Sequence, residues 1–132
     1  MLARIESIDV EQICEDTFNA NAEIAKELNI EQLERGEGSK TYMPDYSNTS
    51  VNMFGKPRGG IRLYETGDFY KGINFEAVSG VVHAYSTDDK SDMLETEYSN
   101  AQPLGLSSDS IIEMNKVNQP TMVEFVNEVL HL

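Results

Sequence analysis

The stretch from residue 61 to residue 86, IRLYETGDFYKGINFEAVSGVVHAYS, decides the fold. From Ile73 to Val78 it alternates apolar and polar side chains, a pattern typical of a strand with one buried face. Ser79-Gly80 follows as a two-residue hairpin turn, and Val81 to Ser86 form the returning strand. Because two strands alone are only marginally stable, a further strand or a helix must cover this hairpin.

A helix is predicted upstream of the hairpin. Asp9 is a good N-cap, and apolar residues recur every three or four positions from there to Leu28. We expect this helix to end near Asn29 or to reform briefly through Leu33, and we expect Gly36 to stop it. The first third of the chain is therefore helical.

Further helices are predicted downstream of the hairpin. The first covers residues 88–99 behind a capping aspartate, the second begins at a capping serine, and the third opens at Pro120, which has no amide to leave unpaired. The candidate caps are Asp88, Asp89, Ser107 and Ser108. The fold class is thus α+β, with an N-terminal helix, a small antiparallel sheet built on a β-hairpin, and C-terminal helices.

The domain organisation follows from length and composition. The chain has 132 residues, which argues for a single domain over residues 1–132. Residues 36–60 are rich in Gly, Pro and Asn and are predicted to form one long loop. Loops of that length are commonly functional.

Charge is distributed unevenly along the sequence. Residues 1–35 carry −6, residues 36–72 carry +1 and residues 73–132 carry −8, for a net charge of −13. The bases of the middle segment include Lys56, Arg58, Arg62 and Lys71. A chain this acidic does not bind nucleic acid over its general surface. The acidity either aids solubility or supports head-to-tail association, in which the basic middle of one copy meets an acidic flank of the next.

Residues with catalytic or metal-binding chemistry are few and scattered. His83 and His131 do not belong to any cluster with metal-ligand spacing. Cys14, the single cysteine, lies on the apolar stripe of the first helix, where a buried structural thiol is expected. The acidic run 88–92 has Lys90 in a ligand position of a calcium loop. The sequence therefore predicts no enzyme activity, no metal and no cofactor. No apolar run approaches the roughly 20 residues that a membrane span needs.

The residues before the hairpin carry a resemblance to a known family. They form the motif Leu-x-x-Thr-Gly-Asp-Phe-Tyr, which consists of Leu63, Thr66, Gly67, Asp68, Phe69 and Tyr70. With the helix exit near Gly36 and the run at 103–107, it resembles the head–tail joining (neck ring, tail-completion-like) morphogenesis proteins of tailed bacteriophages, notably the crAss-like group. The resemblance extends from about Gln32 to the end of the chain.

A structural role for this motif agrees with its chemistry. Gly67 allows a backbone conformation that Thr66 would resist. Asp68 can cap a short helical turn, and Phe69 and Tyr70 would then anchor that turn in the core.

The resemblance implies a non-enzymatic virion protein at the head–tail neck. It implies a homo-oligomeric ring that joins portal to tail and lines or surrounds the DNA channel. Rings of this family often share the twelve-fold symmetry of the portal. The implied partners are the portal protein and neighbouring neck or tail proteins, with DNA only as passing cargo and no membrane. Assembly would take place in the host cytoplasm. Candidate subunit-interface residues are Lys56, Arg58, Arg62 and Lys71.

Two other functions are alternatives to the neck ring. The alternative is an acidic DNA-mimic inhibitor of a host DNA-binding enzyme, which the net charge of −13 supports and the net-basic middle segment opposes. A small enzyme is the third, and the sequence offers it neither a nucleophile–base pair nor a cofactor loop.

Overall fold

The computed structural model describes residues 9–44, 63 and 67–130. Its elements in chain order are helix α1 (Val10–Ala20), helix α2 (Ala22–Glu34), helix α3 (Asp68–Lys71), strand β1 (Ile73–Val78), strand β2 (Val81–Ser86), helix α4 (Ser91–Glu97) and helix α5 (Ser108–Leu130). The predicted α+β class is confirmed.

The N-terminal helical region begins and ends at the residues that the sequence indicated. The Asp9 carboxylate accepts a hydrogen bond from the Gln12 amide at 3.0 Å, so Asp9 is the N-cap of α1. At the far end, Gly36 adopts a left-handed conformation with φ 74°, and its amide donates to the Leu33 carbonyl at 2.9 Å. This glycine closes α2, because a residue with a Cβ would be strained there.

A break divides the predicted first helix at Asn21. Its side-chain amide donates to Asn118 at 2.9 Å and to Thr121 at 3.1 Å, both on α5. The prediction of one helix running to near Asn29 was wrong. Asn21, whose side chain bonds to α5, lies at the junction, so α1 and α2 are separate helices.

The hairpin has the predicted bounds and register. Val78 pairs with Val81, and the two residues between them have positive φ values, 52° at Ser79 and 76° at Gly80. Those angles define the type I′ turn, whose twist matches that of the strands. The buried side chains of β1 alternate as expected, and they are Ile73, Phe75 and Ala77.

Helices cover the hairpin, as its marginal stability required. Helices α1 and α2 contact β1, and α5 contacts both of them. The buried core cluster consists of Ala25, Leu33, Phe69, Tyr70, Ile73, Phe75, Leu104 and Met114. The core therefore lies on the helix-facing side of β1.

Two buried side-chain amides on α2 hold the segment that leads into α5. Asn29 donates to the Pro103 carbonyl at 2.9 Å and accepts from the Gly105 amide at 3.0 Å. Gln32 donates to the Gly105 carbonyl at 3.0 Å and accepts from the Ser107 amide at 2.8 Å. Each side-chain amide thus makes hydrogen bonds to backbone groups that are shielded from water, as a neighbouring strand would.

The start of the long predicted loop is tied to the same segment. The amides of Ser39 and Lys40 donate to the carbonyls of Gln102 and Ala101 at 2.7 and 3.0 Å. A Cβ at Gly38 would overlap the Ala101 carbonyl oxygen, so only glycine allows this close approach. The remainder of the predicted loop, from residue 45 to residue 60, lies outside the described residues.

The helix predicted over residues 88–99 is shorter and lacks its expected cap. Lys90 occupies the N-cap position, and no side chain caps α4. The Ser91 amide bonds to the backbone carbonyl of Asp88 at 3.0 Å, so neither Asp88 nor Asp89 has the predicted capping role. A backbone turn before the helix takes the place of a side-chain cap.

The C-terminal region forms one long helix where two were predicted. Ser107 caps it as expected, since its hydroxyl accepts from the Ser110 amide at 3.3 Å. Pro120 does not open a new helix but lies inside α5. A proline there removes the amide that would bond to the Lys116 carbonyl. Both residues are exposed, so water can bond to that carbonyl.

Candidate interaction surface

The residues predicted to form a subunit interface are not brought together among the described residues. Lys56, Arg58 and Arg62 lie outside the described ranges. Lys71 is exposed at the end of α3, and its carbonyl accepts a hydrogen bond from the Lys26 ammonium at 2.9 Å. This contact brings a second positive charge to the same end of α3.

Much of the family-like motif is built into the core, but Asp68 is exposed and Thr66 lies outside the described residues. Phe69 and Tyr70 are buried, and Leu63 packs against the core cluster. Gly67 holds φ 80° at the N-cap position of α3, so Asp68 is the first helical residue and not the cap that the sequence suggested. The predicted anchoring of the turn by its two aromatics is confirmed.

Cys14 differs from its prediction, because it is exposed. Helix α1 buries Ile13 and Thr17, and Cys14 follows Ile13 by one position, which turns it away from that buried face. The thiol lies instead at the wall of a surface cleft.

Two adjoining clefts lie beside β2 and α5. One measures about 520 Å³ and lies between α1, the hairpin turn and α5. The other measures about 540 Å³ and continues between β2 and α5 towards α4. They share the lining residues Phe18, Val82, Asn115 and Asn118. We call the two together the β2–α5 groove.

The groove combines apolar walls with acidic ends. Phe75 and Met114 line the inner part. Glu11 and Glu15 line the end near the hairpin turn, and Glu95 lines the end near α4. No Lys or Arg of the described chain is among the lining residues. The groove therefore suits an occupant with apolar and positively charged groups.

The edge of β1 is closed by a side chain of α1. Asn19 donates to the Ala77 carbonyl at 3.0 Å and accepts from the Ala77 amide at 2.8 Å. These bonds show that the backbone groups of Ala77 point away from β2. In an antiparallel ladder, such a residue belongs to a pair without mutual hydrogen bonds.

The same antiparallel hydrogen-bond pattern leaves the edge of β2 open. Val82 is the partner of Ala77, and Ala84 is the partner of Phe75, so the amides and carbonyls of Val82 and Ala84 point away from β1. Within the described part of the chain, these groups have no hydrogen-bond partner. Both residues line the groove, so an unpaired strand edge borders a cleft with apolar and polar walls.

The outer face of the hairpin is exposed and carries apolar side chains beside the polar Glu76 and His83. Val78, Val81 and Tyr85 each leave between two-fifths and three-fifths of their surface exposed. On α5, Ile111 and Ile112 are about half exposed. The helix packs through the buried Met114, and Ile111 lines the β2–α5 groove together with it.

The sequence of β2 contains one sign of the open edge. Strand β2 reads VVHAYS, with two consecutive valines and no charged residue. A solvated strand normally alternates, and an edge strand is normally protected by charge or proline.

Comparisons with known proteins give no identification. No protein family, no curated protein and no solved structure matches this chain. Among residues 9–44, 63 and 67–130, no group of three His, Cys, Asp or Glu side chains could hold a metal ion. None of the helices in these ranges is long and apolar enough to cross a membrane.

Proposed function

We propose that this chain is a non-enzymatic assembly protein, and that the assembly is the head–tail neck of a tailed phage virion. The observation that carries an assembly role is a set of exposed apolar side chains on the outer face of the hairpin, Val78, Val81 and Tyr85. Exposed apolar surface of this kind is typical of protein–protein contacts. The choice of a neck ring comes from the sequence resemblance, which includes the motif between Leu63 and Tyr70, the helix exit near Gly36 and the run at 103–107.

Charge supports contact between unlike surfaces of neighbouring subunits. Lys71 and Lys26 place two positive charges near the end of α3, while the chain as a whole carries −13. A positive patch on one subunit would meet an acidic helix of the next, which favours a head-to-tail ring. Such a contact leaves the acidic remainder of each subunit free to face water or passing DNA.

Quantitative mass spectrometry of purified virions tests the neck assignment. We expect a copy number equal to that of the portal protein or a simple fraction of it. Absence from virions together with abundance in infected-cell lysate would refute the neck ring and favour the acidic inhibitor.

Charge reversal tests the assembly contact. The triple variant Arg58→Glu, Arg62→Glu and Lys71→Glu should remain a folded monomer and should not form rings. Each introduced glutamate would repel the acidic residue of the neighbouring subunit that the lysine or arginine attracted. Reversal of Lys116, which pairs with Glu113 on its own helix, serves as the matched control and should leave assembly intact. Normal ring formation by the triple variant, measured by analytical ultracentrifugation, would contradict the proposed contact.

A further inference from the structure

We propose that the β2–α5 groove binds an extended segment of a different protein, which adds to the edge of β2 as a third strand. The segment carries apolar side chains at alternate positions with lysine or arginine between them. This inference rests on the proposed assembly role and names the chemistry of one partner.

The backbone of β2 offers the hydrogen bonds. The amides and carbonyls of Val82 and Ala84 point out of the hairpin towards the groove, and no described residue bonds to them. An added strand pairs with such groups residue by residue, and main-chain hydrogen bonds then supply affinity that does not depend on sequence.

The side chains of the groove offer a place for every second residue of that segment. Val82 and Ala84 lie on the same face of the sheet as Ala77 and Phe75, because directly paired residues point to the same side. That face is covered by helices along β1, whereas under β2 it opens into the cleft walled by Met114 of α5. Apolar residues of an added strand would fill this uncovered space.

The charges of the groove select the partner. Glu11, Glu15 and Glu95 line its two ends, and none of the described residues that line it is a lysine or arginine, although His83 lies beside Val82 and Ala84. A basic segment would therefore be attracted to both ends. A second copy of this chain fits less well, because neither of its described strands carries a lysine or arginine.

The edge of β2 also lacks the features that usually block strand addition. Protected edges carry lysine, proline or an inward-pointing charge. Strand β2 contains none of these, although Glu76 on β1 shows that the hairpin does accommodate charge. An unprotected edge beside an apolar groove is the arrangement that strand-adding partners use.

Binding of a defined peptide to the whole chain tests the proposal. The probe is a blocked ten-residue peptide that alternates lysine with valine, and its control alternates glutamate with valine. We expect the lysine peptide to bind at least ten-fold more tightly by isothermal titration calorimetry. We also expect it to slow hydrogen exchange at the amides of Val82 and Ala84. Equal affinity for the two peptides, or no protection at these amides, would overturn the proposal.

Variants of the edge separate strand addition from simple charge attraction. Ala84→Pro removes an outward amide that the hairpin does not use, while Ala84→Ser keeps that amide and is the matched control. We expect Ala84→Pro to weaken binding of the lysine peptide at least ten-fold and Ala84→Ser to leave it unchanged. Unchanged binding by Ala84→Pro would show that the peptide is held by charge alone and would overturn the proposal.

N-methylated peptides give a test that needs no change in the protein. Only every second residue of an added strand turns its amide towards β2. Methylation of one alternate set of amides should therefore weaken binding ten-fold or more, and methylation of the other set should not. Equal effects of the two sets would contradict strand addition.

Concentration-dependent protection of the Val82 and Ala84 amides from exchange in the protein alone would instead show that a second copy occupies the edge.

These outcomes are separable from those of the proposed neck role. Loss of peptide binding leaves the virion copy number unaffected. Absence from virions leaves the groove and its exchange protection unaffected.

Discussion

The two edges of the hairpin have the same geometry but different surroundings. Ala77 on β1 and Val82 on β2 are direct partners, yet Ala77 is 6% exposed and Val82 is 49% exposed. Asn19 bonds to both backbone groups of Ala77, and α1 and α2 cover its side. The placement of the helices, and not the strands themselves, therefore decides which edge can accept a partner.

The largest expected effect comes from placing the same charge at both members of this pair. Ala77→Asp should lower the free energy of unfolding by about 3 kcal/mol or more, because the carboxylate would be buried without a partner. Val82→Asp should cost about 1 kcal/mol or less, because that side chain reaches water. Urea denaturation of both variants checks the contrast. Similar losses at the two positions would mean that the β2 edge is covered in solution.

A smaller loss is expected where side-chain amides hold the closed side of the molecule. Asn29→Ala leaves the Pro103 carbonyl and the Gly105 amide buried without partners. We expect a cost of about 2–3 kcal/mol in thermal or chemical unfolding. Gln119→Ala on the exposed groove wall is the control and should change stability by about 0.5 kcal/mol or less. Comparable costs for the two variants would show that the amide of Asn29 does not hold this segment.

Removing the side chain that closes the β1 edge should have an intermediate effect. Asn19→Ala should lower stability by about 1 kcal/mol, since water can replace part of the two lost hydrogen bonds. Amide exchange gives the sharper measurement. In the native chain we expect slow exchange at Ala77 and fast exchange at Val82 and Ala84, and in the variant we expect Ala77 to exchange faster. Slow exchange at all three amides before substitution would remove the contrast between the edges.

The smallest effect is expected at the turn that joins the two strands. The Gly80 amide donates to the Glu15 carboxylate at 2.8 Å, and this contact is exposed. Glu15→Ala should therefore cost only about 0.5 kcal/mol. Glu27→Ala, an exposed glutamate on α2, provides the control and should leave the melting temperature unchanged or slightly higher. A loss of several kilocalories at Glu15 would mean that the turn depends on α1 for its formation.

Local patterns predicted a large part of the fold. The alternation in β1, the Ser79-Gly80 turn, the Asp9 cap and the Gly36 stop each depend on residues within a few positions of one another, and all were confirmed. The burial of Phe69 and Tyr70 also followed from their place in a turn before the hairpin.

The predictions that failed depended on distant partners. Asn21 divides a helix, and the groups that its amide meets lie almost a hundred residues away on α5. Cys14 was predicted to be buried from periodicity alone, but α1 packs through the neighbouring Ile13. Pro120 was predicted to start a helix, because proline is favoured in the first turn. This local preference does not show whether a helix already runs through the residue, as α5 does.

The sequence by itself determined the hairpin, its register and the sign of the charge around it, because strand pairing across a two-residue turn is local. Only the tertiary structure decided that β1 is closed and β2 is open. That outcome depends on where α1, α2 and α5 pack and on the reach of Asn19 to Ala77 across the chain. Helix packing sums many weak contacts between residues far apart in sequence, and no local pattern encodes that sum.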